Sequence, residues 1–457
     1  MHERLPVMDR RRAGVLLHPT ALSDDTGRGG LGDPALRFID WLAEGGFTVW
    51  QVLPLGPTGA DGSPYWARSD QAGNPRLLDP HWEPPGGEEA FRAWCAAEAG
   101  WLEDYVLFES ISRSNRGTPW WEWPPSLRDR EPAALDAARR VLAAPMEQLR
   151  RGQWCFAAQW QRLRAHAHAR GVRLFGDLPI YVAPDSVAVW AQREQFRLDA
   201  QGLPVEVAGV PPDYFSADGQ LWGNPLYDWT RHRADGFSFW RARVAAQWNR
   251  FDLVRLDHFR GLCAHWAVPF GALTARDGLW RETPGPELLQ ALRRDTGHLP
   301  LVAEDLGIIT PDVEELRRSF ELPGMRVLQF AFGGDARNPH LPHNHSPDCV
   351  VYTGTHDNDT TRGWLSGLED GARRHLQDYL DLWDEDAIDM LVRAALSSVG
   401  RLAVLPMQDL LQLGSEARFN RPGTVAGNWQ WRLDPGALEV PLARRHRELN
   451  ELYGRCP

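Results

Sequence analysis

The chain has 457 residues, of which 43% are hydrophobic and 24% are charged, and its formal net charge is −11. This composition gives enough apolar surface for a large core and excludes a disordered chain. The acidic balance without a long basic run excludes a nucleic-acid surface and favours a neutral ligand. All 50 basic residues are arginine, which also excludes Walker-type phosphate loops, pyridoxal phosphate Schiff bases and lysine nucleophiles.

The five cysteines lie far apart and form no C-x-x-C pair. This spacing is typical of reduced thiols in a cytosolic protein rather than of a disulfide framework or a zinc site. Residues 1–12 are polar and precede no apolar segment long enough for a secretory signal, and no run approaches the ~20 apolar residues of a membrane span. We therefore expect a cytoplasmic protein that does not bind membranes.

Short apolar, β-branched runs recur along the chain and predict eight strands. They cover residues 14–18, 48–53, 172–176, 253–256, 301–303, 326–330, 350–353 and 402–405. Helix-forming segments lie between several of them, at 34–44, 311–320 and 371–399. Because eight strands alternating with helices are typical of one architecture, we predict an α/β fold, a (β/α)8 TIM barrel.

Two connections between predicted strands are longer than a barrel crossover needs. Residues 58–171 are rich in Trp and in helical pattern, and residues 180–251 contain a polar, Gly- and Pro-rich loop at 207–225. We predict one barrel over 1–457, with these two inserts as subdomains on its C-terminal face, the first mostly helical and the second containing the loop. Residues 438–453 have helical periodicity, so no C-terminal β-sandwich domain is expected.

Four of the predicted strands end in acidic residues. Because the loops after barrel strands surround one mouth, these side chains are expected to meet there. Any one acid alone could instead cap a helix or fasten a loop. Four together predict glycoside chemistry, which needs a nucleophilic carboxylate and a protonated acid. The groups are Asp177, Arg255-Leu-Asp257-His258, Glu304-Asp305 and His356-Asp357-Asn358-Asp359.

The residues around two of these acids predict different roles for them. Arg255 lies two positions before Asp257, so on a strand both side chains share a face and the guanidinium keeps the carboxyl ionised. Glu304 is expected among apolar walls and other acids, which raise its pKa as a proton donor requires. His258 and His356 could be loop histidines, contacts to sugar hydroxyls or metal ligands; we favour sugar contacts because the spacing of a zinc helix is absent.

Longer motifs surround these acids along nearly the whole chain. They resemble glycoside hydrolase family 77, the 4-α-glucanotransferases known as amylomaltases or disproportionating enzymes. The motifs are Trp50-Gln-Val-Leu-Pro-Leu-Gly-Pro-Thr-Gly59, Gly176-Asp-Leu-Pro-Ile180, Val254-Arg-Leu-Asp-His-Phe-Arg-Gly261, Ala303-Glu-Asp-Leu-Gly307, Thr353-Gly-Thr-His-Asp-Asn-Asp-Thr360, Leu413-Gly-Ser-Glu-Ala-Arg418 and Gly427-Asn-Trp429. The most specific is Ala208-Gly-Val-Pro-Pro-Asp-Tyr-Phe-Ser216 with Gln220-Leu-Trp-Gly-Asn-Pro225, which resembles the family's lid over the acceptor site.

The resemblance implies a role for each matching residue. Asp257 would be the nucleophile, Glu304 the acid/base and Asp357 the carboxylate that stabilises the strained transition state. The substrate would be maltooligosaccharides and other α-1,4-glucans, with no cofactor. The residues implied in substrate binding are Asp177, Arg255, His258, His356, Tyr214, Phe215, Trp222 and, more weakly, Asn428.

The same carboxylates would also serve an α-amylase type hydrolase, in which water replaces the acceptor sugar. The apolar lid favours transfer because it can exclude water while a glucan stacks in its place. A catalytically silent glucan-binding barrel is a third reading, for which one of the acids should have been lost. The chain departs from the family pattern at Ala60, where a tyrosine associated with a secondary glucan-binding groove is common, so binding of long chains is less expected.

Overall fold

Twelve strands are present in the part of the chain that the computed structural model describes, residues 7–23, 28–212, 216–381, 387–424 and 426–457. They are β1 (Arg12–Leu16), β2 (Val49–Gln51), β3 (Arg173–Leu178), β4 (Glu206–Val210), β5 (Gln220–Pro225), β6 (Leu253–Leu256), β7 (Ala264–Pro269), β8 (Leu279–Glu282), β9 (Leu301–Ala303), β10 (Gly324–Val327), β11 (Cys349–Tyr352) and β12 (Leu402–Pro406).

Eight of these strands form one parallel sheet in the order β10-β11-β12-β1-β2-β3-β6-β9. β1 pairs with both β2 and β12, so the first strand of the barrel lies beside the last. Between β9 and β10 the Ala303 N–H donates to the Pro323 carbonyl at 2.8 Å, which brings the two remaining edges together. The predicted (β/α)8 barrel is confirmed.

Helices alternate with the barrel strands, and further helices pack against one another in the long connection between β2 and β3. They are α1 (Asp33–Glu44), α2 (Gly87–Ala97), α3 (Ala99–Ser114), α4 (Pro125–Arg128), α5 (Pro132–Val141), α6 (Ala143–Ala169), α7 (Val187–Ala191), α8 (Trp229–Ala234), α9 (Ser238–Arg250), α10 (Gly285–Thr296), α11 (Pro311–Ser319), α12 (Thr361–Ser366), α13 (Asp370–Leu380), α14 (Ala387–Ser397), α15 (Met407–Leu410) and α16 (Val440–Leu452). Among the described helices, none combines the length and apolar character needed to cross a membrane.

The first helix illustrates how the sequence specifies these elements. Pro34 lies in its first turn, where its missing N–H costs nothing, and Gly45 follows its last residue. Phe38, Ile39 and Leu42 recur at helical spacing and are buried against the barrel. The Phe38 ring contacts Trp50 of β2, a strand that is buried along its whole length, as parallel strands between a core and a helix layer must be.

The N-terminal end of the barrel is fastened by Arg455, which is completely buried. Its guanidinium donates to backbone carbonyls at the end of α14, at the start of β1 and in the turn before β12. A cation at the C-terminal end of a helix satisfies carbonyls that have no partner within the helix. The acceptors are the carbonyls of Arg12, Ala395, Leu396, Ser398, Gly400 and Arg401, at 2.6–3.4 Å.

A second, antiparallel sheet in the order β5-β4-β7-β8 lies beside the barrel. The sequence predicted only a polar loop over 207–225, whereas the structure has β4 and β5 there. The other two strands follow β6, so the sheet combines residues from both sides of that barrel strand. Val207 and Val268 pack with Ala275 in a small core of their own, separate from the core of the barrel.

Two of the predicted elements differ from the structure. The sixth strand was predicted at 326–330, but β10 ends at Val327 and Leu328–Phe330 form a 3-10 turn. The helix predicted over 371–399 is represented by α13 and α14, and the intervening residues 382–386 lie outside the described part of the chain. The first difference lies in a connection, where apolar side chains continue after the regular hydrogen bonding of the strand has ended.

Candidate active site

Arg255 lies at the centre of the barrel mouth and binds two of the predicted acids. Its Nη1 donates to both carboxylate oxygens of Asp177 at 2.9 Å, and its Nη2 lies 2.8 Å from Oδ1 of Asp257. Asp177 belongs to β3 and Arg255 to β6, two neighbouring strands in which these residues are paired in register. Asp177 and Arg255 are buried, whereas the Asp257 side chain is partly exposed towards the mouth. The alternation of side chains along β6 therefore brings Asp257 to the barrel opening.

Tyr65 is a site residue that the sequence interpretation missed. Its hydroxyl donates to Oδ2 of Asp177 at 2.6 Å, and its ring stacks on His356 with centroids 5.2 Å apart. It lies in the connection after β2, in a short 3-10 turn at Pro64–Trp66. The aromatic ring and the turn were visible in the sequence, but no pattern linked this residue to an acid more than a hundred positions away.

Glu304 follows β9 and is buried beside Asp257. Its Oε2 accepts from the His258 N–H at 2.7 Å and its Oε1 accepts from the Leu306 N–H at 2.9 Å. Burial, together with the negative charge of Asp257, raises the pKa of Glu304 to about 7, although Arg255 and the two N–H groups act in the opposite direction. The group can therefore carry a proton at neutral pH, as a general acid must.

Asp305, the next residue, has a different environment. Its carboxylate accepts from the Met325 N–H at 2.6 Å and pairs with Arg317 and Arg326, each at 3.3 Å. Adjacent residues at the end of a strand point to opposite sides, so one acid lies in the mouth and the other ties β9 to β10. The Glu304-Asp305 pair thus divides into one site residue and one structural residue.

His258 has a left-handed backbone conformation, with φ of 52°. This conformation is uncommon for a residue other than glycine and directs the backbone N–H of His258 to Glu304. The imidazole packs edge-on against Trp222 of β5, with centroids 4.7 Å apart, and burial lowers its pKa to about 4. The ring is therefore neutral at pH 7 and can donate and accept one hydrogen bond each.

His356 and Asp357 lie on the opposite side of the mouth, after β11. Nε2 of His356 lies 3.2 Å from Oδ1 of Asp357, and the same oxygen accepts from Nδ2 of Asn420 at 2.7 Å. Nη2 of Arg418 donates to the Asp357 carbonyl at 2.7 Å. The Asp357 side chain is nearly half exposed, so it can still reach a bound ring from this fixed position.

The remaining predicted residues are Asn428, which bonds within its own loop, and two lid residues outside the described part of the chain. The amide of Asn428 bonds within its own loop, to Thr424 and to the Arg421 N–H, whereas the neighbouring Trp429 lies 6.3 Å from His356 between ring centroids. Tyr214 and Phe215 lie outside the described residues. Within the described ranges no group of three or more His, Cys, Asp or Glu side chains could hold a metal ion.

Comparison with known proteins connects this geometry to a family. The family model described as 4-alpha-glucanotransferase, glycoside hydrolase family 77, matches residues 17–85 and 83–438. The chain is 45% identical to the 4-alpha-glucanotransferase of Thermus thermophilus over 495 aligned residues, which cover 97% of this chain and 99% of that protein. The chain belongs to the 4-alpha-glucanotransferase family.

Other members of this glucanotransferase family agree in sequence and in structure. The chain is 42% identical to the chloroplastic or amyloplastic 4-alpha-glucanotransferase DPE1 of Arabidopsis thaliana, with coverage of 99% of this chain and 87% of that protein. The amylomaltase from Streptococcus agalactiae, solved in complex with acarbose, superimposes with a TM-score of 0.93 at 32% identity. That match covers 98% of this chain and all of the other. The resemblance inferred from the motifs is confirmed.

Proposed function

We propose that this protein transfers segments of α-1,4-glucans to the 4-hydroxyl of an acceptor glucan or glucose by a retaining double displacement. The observation that carries the proposal is the difference between two carboxyl groups at one mouth. Asp257 pairs with a buried guanidinium, whereas the pKa of Glu304 is raised to about 7 by burial and by Asp257. A retaining mechanism needs such a pair, one ionised and one protonated.

In the first step an Asp257 oxygen forms a bond to the anomeric carbon while the bond to the leaving 4-oxygen breaks. Glu304 gives its proton to that oxygen, so the shortened glucan leaves as an alcohol and a covalent glucosyl-enzyme remains. In the second step the acceptor 4-hydroxyl attacks the anomeric carbon, its proton passes to Glu304, and Asp257 is released as a carboxylate. Each step inverts the configuration of the anomeric carbon, so the two steps together retain it.

We assign the other residues around the mouth to substrate binding. Asp357 would bind ring hydroxyls and stabilise the distorted ring of the transition state, with Asn420 and His356 holding its carboxylate. Arg255, Asp177 and Tyr65 form a continuous hydrogen-bonded row that ends with the Tyr65 ring stacked on His356, and His258 and Trp222 flank the acid/base. Tyr214 and Phe215 of the lid, and Asn428, remain assignments from the sequence resemblance.

Transfer rather than hydrolysis is the activity favoured by membership of the 4-alpha-glucanotransferase family. We further propose that residues 58–171 and 180–251 act as subdomains on the barrel, and that the protein acts in the cytoplasm. The exposed Ala60 offers no aromatic ring to a long glucan, so we propose short maltooligosaccharides as the better substrates.

Incubation of the purified protein with maltotriose tests the proposed reaction. Transfer produces glucose together with a ladder of maltooligosaccharides longer than the substrate. Conversion to maltose and glucose without longer products would instead identify a hydrolase and overturn the proposal.

Substitution of the two carboxyl groups tests their separate roles. Asp257→Asn should abolish turnover of every donor, because no covalent intermediate can form. Glu304→Gln should lower kcat/KM for maltotriose by about 10²–10⁴-fold but should affect α-maltosyl fluoride much less, since fluoride leaves without a proton. Equal loss on both donors in the glutamine variant would contradict the acid/base assignment.

A further inference from the structure

The loop that follows Glu304 is exposed but contributes directly to the acid/base. Leu306 donates its N–H to Oε1 of Glu304, whereas two residues later the Ile308 side chain is 59% exposed. Gly307 between them has a left-handed φ of 81°. Leu306 and Ile309 are partly buried and pack against the barrel core, whereas Gly307 and Ile308 between them are exposed. Polar contacts to the exposed middle of the loop therefore add to the constraint on the position of the Leu306 N–H.

Arg260 supplies such a contact. It lies in the 3-10 turn Phe259–Leu262, directly after Asp257 and His258. Its Nη1 donates to the Ile308 carbonyl at 3.1 Å and to Oγ1 of Thr310 at 2.9 Å. One guanidinium thus joins the loop after the nucleophile to the loop after the acid/base.

A tryptophan of the antiparallel sheet fixes the orientation of this guanidinium. Cζ of Arg260 lies 4.1 Å from the centroid of the Trp280 ring in β8, the distance of a cation–π contact. Trp280 pairs in register with Trp266 of β7, and the two rings meet edge to face at 5.3 Å. The indole is 43% exposed and so contributes little to the core. The described contacts of its ring are therefore Arg260 and Trp266.

We propose that Arg260, stacked on Trp280, is a positioning residue that holds the 306–310 loop so that both oxygens of Glu304 remain hydrogen-bonded. The proposal rests on the acid/base role assigned to Glu304 and extends it to residues that need not touch the substrate. It also gives the antiparallel sheet a function, because β8 provides the surface against which the arginine lies.

The expected effect on Glu304 has a definite direction. An N–H bond to a carboxylate favours its ionised form, so loss of the Leu306 bond should raise the pKa of Glu304 above its present value. The other groups that act on Glu304 stay in place: Arg255 and Asp257 at the end of β6, and the His258 N–H. Tyr65 and Asp177 lie beyond Arg255, and Asp305 points away to Arg317 and Arg326.

The test measures kcat/KM against pH for two donors, maltotriose and α-maltosyl fluoride, in Arg260→Met. The basic limb for maltotriose should move to higher pH by about half a unit or more, and the rate should fall by about tenfold. The rate with α-maltosyl fluoride should stay within about threefold of the wild type, since its first step needs no proton. Thr310→Val, which removes one acceptor and keeps the charge, should shift the limb in the same direction.

Arg162→Met is the matched control, because Arg162 of α6 also lies over an indole, that of Trp82, at 5.5 Å, but has no link to the mouth. Its pH profile should equal that of the wild type. An unmoved basic limb in folded Arg260→Met and Thr310→Val, or equal losses on both donors, would overturn the proposal. Because Glu304→Gln is tested separately, a failure here would leave the acid/base assignment standing.

Discussion

Glu304 sets the expected pH dependence of the reaction. Its pKa of about 7 results from burial and from Asp257, and in the proposed reaction the protonated form gives its proton to the leaving oxygen. We therefore expect kcat/KM for maltotriose to fall by about tenfold per pH unit above about 7, as deprotonation removes the acid. Initial rates between pH 5 and 9 measure this limb. A limb near pH 4.5, the value of an ordinary glutamate, would contradict the environment described for this group.

Tyr65 gives a second expectation at the residue scale. Tyr65→Phe removes the hydroxyl that donates to the buried Asp177 carboxylate, and a hydrogen bond to a charged group contributes about 1.5–3 kcal/mol. If the Asp177–Arg255 pair then relaxes, kcat/KM should fall by about 10–100-fold. Tyr352→Phe is the control, because it removes a neutral bond to Gln51 inside the barrel. Equal kinetic losses in both variants would argue against a specific role for Tyr65.

The acids of the site could be predicted from sequence because each one lies at the end of a barrel strand or in the residues just after it. Asp257 and Glu304 needed no knowledge of distant contacts. Tyr65 could not be predicted in this way, since its position depends on a connection after β2 that no periodicity describes. The two N–H donors to Glu304 could not be predicted from the sequence either, because the left-handed backbone of His258 does not follow from its residue type.

At the scale of elements, α16 contains a buried histidine whose ring forms no hydrogen bond with the described residues. His446 is buried beside Trp41 and Phe47, and neither ring nitrogen has a partner among the described residues. His446→Leu, of similar volume, should leave the stability at pH 7 unchanged or raise it by about 1 kcal/mol. Thermal unfolding monitored by circular dichroism measures the difference.

The effect of His446→Leu on stability should also depend on pH. Burial lowers the pKa of His446 from 6.5 to about 4 in the folded protein, so between these values the unfolded chain binds the extra proton. The wild type should therefore lose stability relative to His446→Leu as the pH falls from 6.5 to 4. A difference in Tm between the two proteins that is constant from pH 7 to 5 would contradict this assignment.

The barrel strands could be predicted because parallel strands buried on both faces give continuous apolar runs, as in β11 and β12. The antiparallel sheet could not. β8 is largely exposed, and β4 and β5 contain glycine and proline that are more typical of loops. Their pairing brings together residues from before and after β6, which no local pattern indicates.

At the scale of the whole molecule, Arg455 is the residue whose loss should cost most stability away from the site. Arg455→Met would remove the guanidinium donor from buried carbonyls in three segments, which we expect to lower the free energy of unfolding by about 3 kcal/mol or more. Chemical denaturation measures this value. Arg444→Met in α16, an exposed residue with a 3.8 Å ion pair, should change it by less than about 0.5 kcal/mol. Similar values for both variants would show that the buried guanidinium is dispensable.

The pairing of β1 with β12, fastened by Arg455, has a consequence for biosynthesis. The first strand to leave the ribosome can complete its hydrogen bonds only with the last one, and the arginine that locks them together emerges later still. The nascent barrel must therefore keep an open seam, with two unpaired strand edges, until β12 has been made. This interval is when the protein would depend most on chaperones, because an open parallel sheet readily pairs with other chains.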